Sequence, residues 1–270
     1  MPKECIIRLR DTEGFVYADL KQNLEHFQNF AKHSHPSFSL CMIGAGEISI
    51  TYHPDTEVIL RPGQIALFCP DQVHLTRNLS DTPLPYYNLH FNKAWALTIQ
   101  QQLFDTQKLL PVKEPIISDA RYATELMEII TQINQDLLTQ SETEAMITAL
   151  LQKLFVHATD AQHIPEEETL FEEIKQYILE HIDQEISATT IAAHTGYSTA
   201  HISRRFKQRF GLTLQAFLID QRIHHAKSLM LQNSDLSLAQ IALEAGFYDQ
   251  SHFIKNFKKA YSISPNAYKV

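Results

Sequence analysis

The chain has 270 residues, of which 44% are apolar and 20% charged, with 7 Gly, 11 Pro, 3 Cys and a formal net charge of −8. At roughly 150 residues per domain this length suits two domains or one large one, and the composition excludes a disordered, collagenous or disulfide-stapled chain. The apolar runs are too short for a membrane span, the charged start MPKECIIRLRDTEG does not read as a signal peptide, and Cys5, Cys41 and Cys69 form no C-x-x-C pair, so a cytoplasmic protein with reduced thiols and no membrane partner is expected.

The first half reads as short strands. Ile6 to Leu9, Phe38 to Ile43, Glu47 to Tyr52, Glu57 to Leu60, Ile65 to Phe68 and Tyr86 to Phe91 are rich in β-branched and aromatic residues. Gly44, Gly46, Pro54-Asp55, Pro62-Gly63 and Pro70-Asp71 supply the turns between them. This cadence fits a small β-barrel or jelly roll. Residues 119 to 157 then read as two helices. Ala123, Leu126, Ile130, Ile133 and Leu137 form one apolar stripe, and Ala145, Ala149, Leu150, Leu154 and His157 form a second.

A polar, acidic stretch from residue 159 to 168, with Pro165 just before an apolar-periodic segment, marks a domain boundary. The charge divides there. Residues 1 to 169 hold 12 Lys+Arg against 22 Asp+Glu, net −10, whereas residues 170 to 270 hold 11 against 9, net +2. The overall charge argues against a polyanionic partner, but the second half taken alone does not.

Beyond the boundary, Leu170, Ile174, Tyr177, Ile178 and Ile182 predict an amphipathic helix. A repeat with a period of 50 to 51 residues follows. Its first copy is IAAHTGYSTAHISRRFKQRFGLTLQAF, Ile191 to Phe217, and its second is IALEAGFYDQSHFIKNFKKAYSISPNAY, Ile241 to Tyr268. In each copy a short helix meets Gly and an aromatic (Gly196-Tyr197, Gly246-Phe247) and a second helix follows, which is a helix-turn-helix. In the second helices the pairs Ile202/Phe206 and Phe253/Phe257 fall at i, i+4 on a buried face. Opposite lie Ala200, Ser203, Arg204, Lys207 and Gln208 in the first copy, and Gln250, Ser251, Ile254, Lys255, Lys258 and Lys259 in the second. Such a stripe suits a DNA major groove, where Arg, Lys and Gln read base edges and neighbouring lysines neutralise phosphates. The other reading is a solvated helix face, and two copies in tandem weigh against it. Between the copies, Leu214 to Asn233 fits one long helix with Phe217, Ile223, Ala226, Leu229 and Met230 inward. A stiff spacer would let one monomer read two adjacent groove segments about 34 Å apart. Ser237 and Gln240 form a capping-box pattern that starts the second unit.

The G-Y-S…I-S-R-R-F-K…G-L-T segment, the stretch from Arg222 to Met230, the run I-A-x-x-A-G-F-Y-D-Q-S-H-F-I-K-N-F-K-K and the ending S-I-S-P-N-A-Y-K together resemble the DNA-binding domain of the AraC/XylS family of bacterial transcription regulators. The resemblance implies seven helices in residues 169 to 270, with helix-turn-helix units at about 187–210 and 237–259 that bind promoter DNA. It puts Ala200, Ser203 and Arg204, and Gln250, Ser251, Ile254 and Lys255, at base-contacting positions. Ser262 stands where the family usually has Gly, implying a non-glycine residue at positive φ, and Ile254 stands where it usually has a small polar residue, implying contact with a thymine methyl or a structural role.

The first half resembles the family's cupin-type effector domain, from His33-Ser34-His35 through Pro62-Gly63 to Pro70-x-x-x-His74. The expected architecture is a two-domain α+β chain: a cupin-like β-barrel with helices over 1–110, a helical dimerisation or linker region over 111–168, and an all-α tandem helix-turn-helix domain over 169–270. His35, Phe38, His74, Tyr87 and His90 are the candidate effector-pocket residues. His33, His35 and His74 could hold a divalent metal instead, but Ser39 stands where metal-binding cupins usually place Glu, so no cofactor is expected. The family habit implies a homodimer, contact with RNA polymerase and activation of transcription. The reading is therefore a non-enzymatic regulator controlled by a small molecule. The alternatives are a metal-dependent cupin enzyme fused to a DNA-binding module and a regulator that senses a protein partner.

Overall fold

A computed structural model describes residues 5–10, 16–23, 29–80, 84–159, 169–232, 235–261 and 264–269. The strands are β1 (Cys5–Arg10), β2 (Val16–Asn23), β3 (Phe30–His33), β4 (Phe38–Ile43), β5 (Ile48–Tyr52), β6 (Thr56–Leu60), β7 (Ile65–Phe68), β8 (His74–Asn78), β9 (Tyr86–Phe91) and β10 (Ile116–Ile117). They form two antiparallel sheets, β1-β2-β9-β4-β7-β10 and β3-β8-β5-β6. Pleating sends alternate residues of β4 and β9 to opposite faces. Cys41, Ile43 and Tyr86 meet Ile48, Ile50, Tyr52 and Phe68 between the sheets. Phe38, Leu40, Leu89 and Phe91 face outward onto helices.

Those helices are α1 (Lys93–Phe104), α2 (Ala120–Asn134) and α3 (Gln140–Ala158). Asp119 caps α2, and a Thr139/Glu142 capping box starts α3. The first stripe holds at Ala123, Leu126 and Ile130, but Leu137 lies past the end of α2 and is exposed. The second is rotated. Ala145, Ala149 and His157 face solvent, while Ile147, Leu150, Leu151, Leu154 and Phe155 are buried. The apolar side chains of greatest volume, not the alanines, choose the core face, because burial free energy scales with apolar area.

The C-terminal elements are α4 (Thr169–Glu180), α5 (Ala188–Thr195), α6 (Thr199–Phe210), α7 (Leu214–Gln232), α8 (Leu238–Glu244), α9 (Gln250–Tyr261) and α10 (Pro265–Lys269). Helix α7 serves two cores. Phe217 and Leu218 join Ile174, Ile191, Ile202 and Phe206, whereas Ile223, Ala226 and Met230 join Ile241, Phe253 and Phe257. Gly246, at φ +81, is where the turn of the second unit is pressed against the chain just after α4. A Cβ there would stand 2.0 Å from the Ile182 carbonyl oxygen, which accepts from Arg222 Nε at 3.0 Å. The expected boundary stretch at residues 160–168 and the expected positive φ at Ser262 lie outside the described residues. No helix among the described residues is long and apolar enough to cross a membrane.

Candidate nucleic-acid face and effector site

Both helix-turn-helix units are built by local capping. Ser187 and Thr190 cap α5, Gly196 ends it at φ 74°, and the Ser198 side chain accepts from the His201 amide to start α6. In the second unit Ser237 and Gln240 form the capping box of α8, and Asp249 Oδ1 accepts from the His252 amide at 2.7 Å to start α9. Ile202, Phe206 and Phe210, and Phe253 and Phe257, are buried. Ala200, Ser203, Arg204, Lys207 and Gln208 are all exposed, as are Gln250, Ser251, Lys255, Lys258 and Lys259. Ile254 is half-buried and packs against the core shared by α7 to α9. Each second helix therefore offers a cationic, hydrogen-bonding face with no carboxylate on it.

At one end of the barrel, four imidazoles gather. His33 pairs with His74 across β3 and β8, with ring centroids 4.4 Å apart, and His35, just past the end of β3, lies 5.1 Å from His74 and 5.0 Å from His90. His35 Nδ1 bonds the Ser37 carbonyl and His74 Nδ1 the Gln72 carbonyl, both at 2.9 Å. Burial, and after it the neighbouring His33, pushes His35 down to about 3. His74 and His90 also stay well below the usual imidazole range, again chiefly through burial. His35, His74 and His90 are thus neutral near pH 7.

Phe38 and Tyr87 do not join it. Phe38 stacks on Phe91 and meets Phe155 edge-on, and Tyr87 packs on the same helix-facing side. They sit on the outward face of β4 and β9, whereas Ser39, Asn88 and His90 share the other, so strand alternation removes both from the expected pocket. The metal reading fits no better. Among the described residues no three His, Cys, Asp or Glu side chains are placed to hold an ion. His35 Nε2 instead lies 3.4 Å from Ser39 Oγ, at the position where the carboxylate ligand would be needed.

Sequence reasoning missed several residues at this end. Lys21, almost fully buried, places its ammonium 5.2 Å from the Phe30 ring and 5.8 Å from the Tyr261 ring, and donates to the Tyr261 carbonyl at 3.3 Å. Lys227 of α7 shares the Tyr261 ring, 5.8 Å away, and lies 5.5 Å from the Tyr268 ring. Thr76 Oγ1 and Asn88 Oδ1 are buried and unpartnered among the described residues. Long-range folding assembles this set, and no spacing rule could have found it.

The same end of the barrel meets the helices. Helix α9 packs on β3, Val73 enters the core formed by α4 to α7, Lys175 pairs with Asp71, and His53 Nε2 bonds the Gln208 carbonyl at 2.8 Å.

Two family descriptions match this arrangement: an AraC-like ligand-binding domain over residues 25–155 and a helix-turn-helix domain over residues 191–269. The chain is an AraC-family transcription regulator. This regulator is 26% identical over 223 residues to the arabinose operon regulatory protein of Salmonella typhimurium, covering 79% of this chain and 76% of that protein. It is 23% identical over 279 residues to the HTH-type transcriptional regulator YfiF of Bacillus subtilis, covering 98% and 87%. Its two-domain fold is shared with apo ToxT of Vibrio cholerae, at a TM-score of 0.66 and 16% identity over 97% of this chain and 98% of that one. The unsaturated-fatty-acid-bound form of ToxT gives 0.62 at 15% identity, over 100% and 97%.

Proposed function

We propose that this regulator is a cytoplasmic, promoter-binding activator governed by a small organic acid held at the histidine end of the barrel. The observation that carries the reading is the position of that end: His35, His74 and His90 lie beside Lys21 and Lys227, against α7 and α9. Two ammonium groups suit a carboxylate, neutral imidazoles suit hydrogen bonds, and Thr76 and Asn88 carry buried oxygens able to accept from a ligand. The fatty acid named for ToxT belongs to the same chemical class. Bases would be read by Ala200, Ser203, Arg204, Gln250, Ser251 and Lys255, with Lys207 and Lys258 on phosphates. Ile254 acts by packing α9. The division into 1–110, 111–168 and 169–270 is part of the same proposal, as are RNA polymerase as partner and a dimer through the exposed side of α3, where Ala145, Ala149 and Val156 share a face.

A thermal-shift screen of the full chain against organic acids and their amides tests the effector, since binding to the folded state raises the midpoint. Acids should stabilise and amides should not. Stabilisation by neither refutes the acid. Selective retardation of a duplex of about two helical turns, falling steeply with salt, tests the DNA face.

A further inference from the structure

One fully buried serine joins the histidine end of the barrel to the spacer helix. Ser34 stands between His33 and His35, and all of its polar groups are engaged by α7. Its amide N–H and its hydroxyl both donate to Asp220 Oδ2, at 3.3 and 2.6 Å. Its carbonyl oxygen accepts from His224 Nε2 at 3.0 Å. Asp220 and His224 are one turn apart on one face of α7, with side chains only 10% and 11% exposed. With Nε2 donating to the Ser34 carbonyl, His224 turns Nδ1 toward the Tyr261 hydroxyl of α9, 3.4 Å away. Burial on its own would raise the Asp220 carboxyl, but His224 and the Ser34 hydroxyl together hold it below the usual carboxylate range, so the acceptor stays charged.

This arrangement has little slack. A buried carboxylate that receives both of these hydrogen bonds from one residue loses them together if that residue moves, and buried charge without partners is costly. A shift of the His33–His35 segment must therefore draw α7 with it or break the contact. Helix α7 in turn packs Phe217 into the core of the first helix-turn-helix and Met230 into that of the second. Turning or sliding α7 changes how α6 and α9 stand relative to each other.

We propose that the Ser34–Asp220–His224 clamp carries effector occupancy from the barrel histidines to the helix that sets the pose of the two DNA-reading helices. Ser34 is a positioning residue, touching α7 and neither DNA nor, by its burial under α7, the solvent side of the pocket. The inference rests on the effector reading above and adds the route of its regulation.

Coupling is reciprocal, so DNA binding must perturb the histidine site as much as an effector perturbs DNA binding. This permits a test without the effector. The full chain is titrated with a duplex selected in vitro on the wild type, while the His35 and His74 ring proton signals are followed by NMR, assigned with His35→Asn and His74→Gln. The wild type is expected to shift the His35 signal at saturating duplex. Ser34→Ala and Asp220→Asn, checked for unchanged near-ultraviolet dichroism, are expected to abolish that shift and to change the duplex Kd by about 5-fold or more. His224→Gln provides a third, independent break. An unmoved His35 signal in DNA-bound wild type overturns the clamp and leaves the regulator reading intact, and so does an equal shift in Ser34→Ala. A wild type that selects no duplex overturns the regulator reading itself.

Discussion

Acidification should weaken this fold through the barrel histidines, and His35 sets the scale. Its side chain is buried, and burial followed by the charge of His33 holds its pKa at about 3, against 6.5 in the open chain. Between those values the unfolded chain binds a proton that the folded chain refuses. The stabilisation is therefore complete above about pH 6.5 and is lost progressively as the pH falls toward 3. Each pH unit in that window is worth about 1.4 kcal/mol for one such group. Going from about pH 6.5 to about pH 5 thus removes about 2 kcal/mol through His35 alone, a large part of a typical stability of about 5–15 kcal/mol. His74 and His90 add to the loss in the same direction. Urea unfolding at about pH 7.5, 6.5 and 5 measures it, with His35→Asn as the comparison. The variant starts less stable, because the bond to the Ser37 carbonyl is altered, yet its stability should fall with a slope shallower by about one proton. Equal slopes in the two proteins would refute the claim that His35 is held neutral by the fold.

The two turn glycines should differ in cost. Gly196, at φ 74° with nothing within 4 Å of an added Cβ, should lose about 1–2 kcal/mol as alanine, from backbone strain alone. Gly246→Ala must also displace the Ile182 carbonyl 2.0 Å away and so should lose about 4 kcal/mol or more, read as the larger fall in Tm. On DNA, Arg204→Ala is expected to relax preference at one base pair by about 1–3 kcal/mol, while Lys207→Ala weakens all duplexes alike and lowers the salt slope by about 1. Reversed results in gel-shift competition would mean that α6 meets the groove with another face. Val156→Glu should shift the chain toward monomer in sedimentation velocity, and an unchanged oligomer would remove α3 from the interface.

The helix-turn-helix half was legible because its information is local. Caps, a turn glycine and i, i+4 aromatics each act within one or two turns, so residues such as Ser237, Gly196 and Phe206 announce their roles by spacing alone. Strand β8 was harder to see. Its inward positions are His74 and Thr76, so apolar alternation, the usual sign of a strand, is absent. Phe38 and Tyr87 were misplaced for a related reason: an aromatic on a strand can serve either side of a sheet, and only the register with β9 and α3 decides which. The link between Ser34 and His224 spans 190 residues and has no periodic signature at all. What the sequence does carry is the pair Asp220/His224 at i, i+4 on the spacer helix, an acid and an imidazole placed on one face.

The position of the domain contacts limits how regulation can operate. The barrel touches the DNA-binding half at α4 through Lys175, at the end of α6 through the Gln208 carbonyl, along α7 through Asp220 and His224, and at the end of α9 through Tyr261. None of these contacts covers the side chains of Arg204, Lys207, Gln250, Ser251 or Lys255, which remain exposed with the domains packed together. On the proposed reading of these helices, an effector acts on geometry and not by uncovering their faces, because two helices that read successive grooves bind together only when their separation and tilt match the duplex. The contacts converge on α7 and on the ends of α6 and α9, the parts of the domain that determine that separation. The net charge of +2 on the second half fits this proposal: with so small a bulk attraction to phosphate, affinity would depend on both units engaging at once, and a small change in their relative pose would be enough to regulate it.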